Sequence, residues 1–502
     1  MRPTTLLSII FLIFISLLSS CKEQASSDMN LQQKIDDLLA KANEKGIFHG
    51  TVLIAKGGKV AYTGAYGLSN IEPETPMKVE NIFRLASVSK QFTCMTIMML
   101  KEEGKLDYDQ DVKDFIPELP YEGITLRHLM NHTSGIPSYE SLFDNKWKTE
   151  LKDDDPKKFI EGNEHMLSFL VEHKPERHFA PGEKWEYSNT AYLCLAIVTE
   201  RVSGIPFADF AKQRIFDPLE MSNTSFYNFV PGPDPNMPLR AFGFTKGLGG
   251  KLRYNDSHYL NPVKGDGGVF STVEDLFKWD RALYTEKLVK KESLEEAFTP
   301  GKLANGEAHD YGFGWSIGES LSGKKTVSHG GGWVGFRTFI HREIEEDHTI
   351  IFLSNHSSNY MEAILYQLKN ILHDKSYIIP KEMTAEKIGK TYFHEGVEAG
   401  MKKYEELKAD LEKDAVWGVE NELWYLASVL HEEEKPEAAV NVLQLIINDY
   451  AEKPGPYLRG IGNIQAEMGE NTLALQAYES ALKADPKIEG VKEKIQELTE
   501  NR

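Results

Sequence analysis

The sequence predicts an α+β domain followed by an all-α tail, and three observations carry that expectation. Two pairs of strand-forming runs stand near opposite ends of residues 31–375. Mostly helical patterns and long Gly/Pro loops lie between them, and helical periodicity is almost unbroken beyond about residue 391. An antiparallel sheet built from both ends of the domain, with a mainly helical region inserted, satisfies that order. The 502 residues suffice for about three domains, or for one large domain with appendages. Hydrophobic residues at 41% and charged residues at 26% support a sizeable core and exclude global disorder. With 57 basic and 76 acidic residues the net charge is −19, a field that repels nucleic acid and anionic lipid.

The chain begins with Arg2 and an uncharged run, Leu6 to Leu18, long enough for a secretory signal but short of the roughly 20 residues of a spanning helix. Leu18-Ser19-Ser20-Cys21 resembles the lipobox of bacterial lipoproteins, where cleavage precedes a cysteine that becomes diacylated. Residues 1–20 are therefore expected to be a signal peptide, Cys21 the lipidated residue and 21–30 a solvated tether. The protein is expected in the bacterial cell envelope, exported and held to a membrane by lipid alone. Cys94 and Cys194 complete a set of three cysteines with no CxxC pair, which argues against a zinc ribbon or redox dithiol and favours two buried thiols over a Cys94–Cys194 bridge.

Leu31, Ile35, Leu38 and Leu39 follow at helical spacing. Gly50–Ala55 and Val60–Thr63 then read as a hairpin closed by Lys56-Gly57-Gly58-Lys59. The second strand pair is Phe336–Ile340 and Thr349–Leu353, around an acidic turn. Periodicity breaks near Ile379-Pro380, so 376–390 is expected to be a linker and 391–502 a helical domain of net charge −11. Within it Leu426-Ala427, Ala439, Leu443 and Ile446 recur 35 positions later as Ile461-Gly462, Ala474, Tyr478 and Ala481. That period resembles the tetratricopeptide repeat, and residues 391–420 are expected to add a degenerate pair.

Three short motifs carry chemistry. Ser87-x-x-Lys90 stands at the start of an apolar helix, where a three-residue step puts hydroxyl and amine on one face. Tyr187-Ser188-Asn189 precedes a second apolar helix, and a phenol beside an ammonium serves as a proton shuttle. His329-Gly330-Gly331-Gly332 offers a bare backbone edge whose N–H can face a developing oxyanion. Each motif also occurs by chance, as in Ser322-x-x-Lys325, Ser480-x-x-Lys483 and Tyr259-Leu260-Asn261. Gly330 to Gly335 fits GxGxxG, but a strand follows where a dinucleotide site needs a helix, and no GxSxG occurs.

Together, in this order, the three motifs resemble those of the serine β-lactamase and penicillin-binding-protein superfamily. The likeness is to the branch of class C β-lactamases, D-aminopeptidases, DD-carboxypeptidases and esterases. It covers 31–375 and extends to Ile124–Pro137, Phe216–Leu219 and Gly265–Thr272. The resemblance implies a β-lactamase/transpeptidase-like fold and a serine hydrolase that acts through an acyl-serine on esters or small D-amino-acid or peptide amides. It implies Ser87 as nucleophile, Lys90 as its activator and Tyr187 as proton carrier. Asn189, His329, Gly331 and Gly332 would bind substrate, the N–H groups of Ser87 and Gly332 forming the oxyanion hole. No metal or organic cofactor is called for.

His329 and Gly330 stand where β-lactamases have Lys and Thr, which leans away from efficient penicillin hydrolysis and strict carboxypeptidase action. Arg337 is either a substitute carboxylate anchor or an exposed strand residue. Residues 138–180 and 228–262 depart from the likeness and are expected to form substrate-selecting walls. Three other readings remain at this stage: a non-turnover acyl-binding receptor, an adaptor whose helical tail captures a protein or peptide on a concave face, and a DD-carboxypeptidase or weak β-lactamase.

Overall fold

The computed structural model describes residues 30–142, 160–227, 237–415, 418–488 and 490–500, without the side chains of 141, 142 and 414. The expected signal peptide, Cys21 and the tether up to residue 29 lie outside them. The chain divides into two compact units, Met1–Thr245 with Tyr254–Ile379, and Lys246–Arg253 with Pro380–Arg502.

The first unit is built on an antiparallel six-stranded sheet. Its strands are β1 (Gly50–Lys56), β2 (Lys59–Tyr66), β3 (Ser316–Glu319), β4 (Lys325–Trp333), β5 (Phe336–Glu343) and β6 (His348–Ser354), in the order β3-β4-β5-β6-β1-β2. The ends of the domain meet where β1 pairs with β6, Gly50 opposite Ser354 and Ala55 opposite Thr349. Both strands are covered on both faces, which is why they read as apolar runs and not as alternating ones. The β1–β2 turn has Gly57 and Gly58 at φ 59° and 73°, the backbone that a two-residue hairpin requires. The glycine-rich third motif is itself a strand, β4, with His329 opposite Ile340 and Gly332 opposite Arg337.

Helix α1 spans 30–44 and buries Leu31, Ile35, Leu38 and Leu39. The central helix, α2 (Lys90–Glu102), is buried at every residue from Lys90 to Leu100, so its apolar pattern runs all round. It packs on α3 (Asn189–Ser203), with Thr96 and Thr199 hydroxyls 2.8 Å apart and the Cys94 thiol 3.4 Å from the Tyr192 hydroxyl. Ser188 caps α3 by accepting from the Ala191 N–H, which leaves Tyr187 just outside the helix and Asn189 in its first turn. Cys94 and Cys194 are buried free thiols, each pushed up to about 12 by burial. Helix α4 (Val273–Ala282) lies against β1 and β6, and its Trp279 Nε1 donates to Gln91 at 2.8 Å.

The second unit contains α5 (Thr384–Glu395), α6 (Val397–Asp414), α7 (Val419–Glu432), α8 (Pro436–Asp449), α9 (Gly455–Glu467), α10 (Asn471–Ala484) and α11 (Val491–Glu500). Helix α5 therefore starts inside the stretch expected to be a linker, and residues Lys246–Arg253, expected as a substrate wall, cluster with the helices. Leu248 enters their core beside Ile388 and Leu426. All ten positions of the 35-residue recurrence are buried. Small residues make the close contacts. A side chain at Gly462 would sit 2.6 Å from the Tyr478 ring, and one at Gly400 would collide with Tyr392.

Candidate active site

The site is built around a tight turn ahead of α2. Phe83–Arg84 is a short strand antiparallel to Val269–Ser271, and the chain then enters a 3₁₀ turn, Ala86–Ser89. Ala86 sits at φ 48°, a strained position for a residue with a Cβ, and it presents Ser87 next to it. Two bonds hold the turn: Thr338 of β5 donates to the Leu85 carbonyl at 2.6 Å, and Ser89 accepts from the Val269 N–H at 3.1 Å. Strand β4 lies directly against it, because Gly331 has no side chain; one there would collide with the Leu85 carbonyl and the Thr338 hydroxyl.

Lys90, the first residue of α2, is fully buried. Its Nζ lies 3.1 Å from Ser87 Oγ, 2.6 Å from Asn189 Oδ1 and 2.7 Å from the Asp266 carbonyl. Three acceptors complete the three N–H bonds of an ammonium. The same geometry equally suits a neutral amine that accepts the Ser87 proton and keeps two donations. A proton can thus pass between hydroxyl and amine with no movement of heavy atoms. The amine also stands 4.8 Å from the ring centroid of Tyr187 and 5.3 Å from that of Tyr192.

Asn189 is fixed from behind. Its Nδ2 donates to Glu140, whose other oxygen accepts from Ser138 at 2.6 Å, and its backbone N–H donates to Ser138 Oγ at 3.0 Å. Burial, and then the negative charge of Asp266, raise the Glu140 carboxyl above its usual range. Asp266 in turn accepts from the Tyr139 hydroxyl at 2.7 Å.

His329 is buried, and burial together with the charge on Lys90 pushes it down to about 3. The ring is neutral, with Nδ1–H donating to the Gly330 carbonyl at 2.6 Å and Nε2 accepting from Tyr311 at 2.8 Å. Next to it, buried His132 accepts from the Ser188 N–H at 3.1 Å, its ring tilted against that of Tyr187 with centroids 4.2 Å apart. Burial, reinforced by Lys90, holds it well below its ordinary value.

Ser87, Asn189 and Gly332 share the wall of one cavity with Arg84, Glu140 and Asp266. Motifs a hundred and more residues apart thus converge, and Lys90 joins Ser87, Tyr187 and Asn189 in one contact set. Both ring nitrogens of His329 are bonded within the protein, and a side chain at Gly331 would meet the serine turn. The other Ser-x-x-Lys stretches form no such pair: Ser322 bonds to Glu346, and Ser480 to its own helix. Asn261, of the second Tyr-x-Asn triplet, does line the cavity and holds the Trp333 indole at 2.7 Å.

The β-lactamase family model matches residues 31–370. The chain belongs to the β-lactamase family. Penicillin-binding protein 4* of Bacillus subtilis is 37% identical over 362 residues, which covers 70% of this chain and 78% of that protein. A D-aminopeptidase of Gluconobacter oxydans is 24% identical over 314 residues, 62% of this chain and 56% of that one. Among solved structures, the octameric penicillin-binding protein homologue from Pyrococcus abyssi superposes with a TM-score of 0.59 at 27% identity, covering 72% of this chain and 81% of that one. As a β-lactamase-family member this protein is a serine hydrolase with peptidase relatives. Sequence reasoning missed Arg84, His132, Glu140, Asp266 and Tyr311. Three of them stood in stretches already singled out, His132 in Ile124–Pro137, Glu140 in 138–180 and Asp266 in Gly265–Thr272; Arg84, three residues ahead of Ser87, and Tyr311 carried no signal.

Proposed function

We propose that the chain hydrolyses esters or small D-amino-acid or peptide amides through an acyl-serine at Ser87. The observation that carries this reading is the buried Lys90 amine 3.1 Å from Ser87 Oγ, with Asn189 and the Asp266 carbonyl holding it there. As Ser87 Oγ attacks the carbonyl carbon, Lys90 takes its proton. Tyr187, whose ring lies under the same amine, passes a proton to the departing alcohol or amine. Water then attacks the acyl-serine with its proton returning along the same path, releasing the acid and restoring the serine. The N–H groups of Ser87 and Gly332 receive the oxyanion, each worth about 3 kcal/mol in the transition state.

We further propose export and anchoring through Cys21, supported by the lipobox-like Leu18–Cys21, with this chemistry in the cell envelope; the repeat-like helices, with Trp424 and Tyr425 exposed, would offer a face to a protein or peptide. Intact-mass measurement after exposure to a fluorophosphonate, a penicillin, and panels of esters and D-amino-acid amides tests the reading. An adduct on the protein and none on Ser87→Ala is expected; no adduct, or one that survives the substitution, overturns it.

A further inference from the structure

The cavity beside Ser87 holds two charged groups that the reaction above does not use. Arg84 is 2% exposed, with its guanidinium 4.8 Å from the Phe270 ring centroid. Its Nε and Nη2 have no hydrogen-bond partner among the described residues. Those two atoms form the edge of the guanidinium that grips a carboxylate with two parallel bonds. Asp266 is 8% exposed; Tyr139 occupies its Oδ2, and its buried Oδ1 has no partner among the described residues. Opposite charges with unpaired, buried atoms thus line one cavity, and among the described residues no ion pair joins them. Buried charges left in that condition are costly unless something completes them.

We infer that the cavity takes a substrate moiety bearing both a free carboxylate and a free ammonium, an amino-acid zwitterion joined to the scissile group through its side chain, with its carboxylate on Arg84 and its ammonium on Asp266. The inference rests on the acyl-transfer reading only in placing that moiety beside Ser87. Other cations do not compete for the carboxylate. Lys90 spends its donors on Ser87, Asn189 and the Asp266 carbonyl, and Arg337 turns Nη1 to the carbonyls of Val334 and Phe336 at 3.3 and 2.8 Å. Glu140, its oxygens taken by Ser138 and Asn189, adds negative charge behind the ammonium position. Arg84 and Asp266 are opposite charges on the wall of the same cavity, so a moiety of zero net charge leaves their sum unchanged. An amine alone leaves Arg84 open, and a carboxylate alone leaves Asp266 open.

The test is calorimetric binding to full-length Ser87→Ala protein of four compounds, each in both hands: alanine, alaninamide, N-acetylalanine and N-acetylalaninamide. Alanine of one hand is expected to bind at least tenfold more tightly than the two singly charged compounds. Equal affinities, or a singly charged compound that matches alanine, overturn the inference, and this comparison needs no further variant. In Arg84→Gln and Asp266→Asn the zwitterion's advantage is expected to disappear; its survival in either also overturns the inference. Binding here is independent of acylation, so a missing serine adduct would remove the acyl-transfer reading alone, and uniform binding would remove the zwitterion site alone.

Discussion

Two cations near one serine, Arg84 and Lys90, are held in opposite ways. Lys90 is fully buried, yet each of its N–H bonds meets a neutral oxygen, one of them the nucleophile's. Arg84 is almost as deeply buried, stacks on Phe270, and leaves Nε and Nη2 without partners among the described residues. A group that must exchange a proton works best when its surroundings suit both protonation states. A permanent cation with open donors suits a bound anion. Burial is common to both groups; hydrogen-bond completeness separates them.

The largest effect is expected from breaking the Lys90 end. Lys90→Ala removes the proton acceptor and strands the Asn189 and Asp266 oxygens, so kcat for an activated ester should fall about a thousandfold or more, with a much smaller change in KM. Lys90→Arg sharpens the comparison, because a guanidinium does not give up its proton. Its kcat should stay within about tenfold of Lys90→Ala. Steady-state kinetics of both variants decide the matter, and near-normal turnover by Lys90→Arg would reduce Lys90 to a positive charge. Next in size is Gly331→Ala, whose new methyl meets Leu85 and Thr338 and pushes β4 off the serine turn. Overpacking of this kind costs about 1–3 kcal/mol, measurable by denaturant unfolding, and kcat should fall with it.

His329 gives a third, pH-dependent effect at the Lys90 end. Its folded value is driven down from 6.5 to about 3 by burial and by Lys90. Between those two values the unfolded chain binds a proton that the folded His329 refuses, so stability falls as pH drops below 6.5. The slope is about 1.4 kcal/mol per pH unit for this one group. Thermal unfolding of the wild type from pH 8 to 4 should therefore steepen below 6.5, and His329→Gln should flatten that limb. An unchanged slope would show that His329 is not held neutral.

Much of this was legible in the sequence, for physical reasons. The Ser87–Lys90 step works because the chain there is helical, and Tyr187 and Asn189 flank the cap of α3. β1 and β6 announced themselves by continuous apolar runs, and all ten positions of the tail recurrence are buried because that recurrence is a packing pattern. β4 stayed hidden because glycine carries no strand signal, although the glycines are what bring it against Ser87. Helix α5 was masked by Pro380, which reads as the end of order but lies just ahead of a new helix. Arg84, Glu140 and Asp266 acquire meaning only from one another, across gaps in sequence that no local pattern spans.

The smallest effect is expected at Gly332, and it separates a glycine needed for packing from one needed for access. A methyl built on Gly332 meets nothing nearer than Arg337 Nη1 at 3.6 Å, an ordinary contact, and the backbone needs no left-handed conformation. Gly332→Ala should therefore change folding stability by less than about 0.5 kcal/mol, against the larger loss at Gly331 one residue away. Gly332 nevertheless lines the cavity beside Ser87. A higher KM for bulky acyl groups than for acetyl, at near-native stability, is the expected signature. Equal destabilisation by Gly331→Ala and Gly332→Ala would mean that β4 meets the serine turn along both glycines, and that the cavity is not bounded by the strand's bare edge.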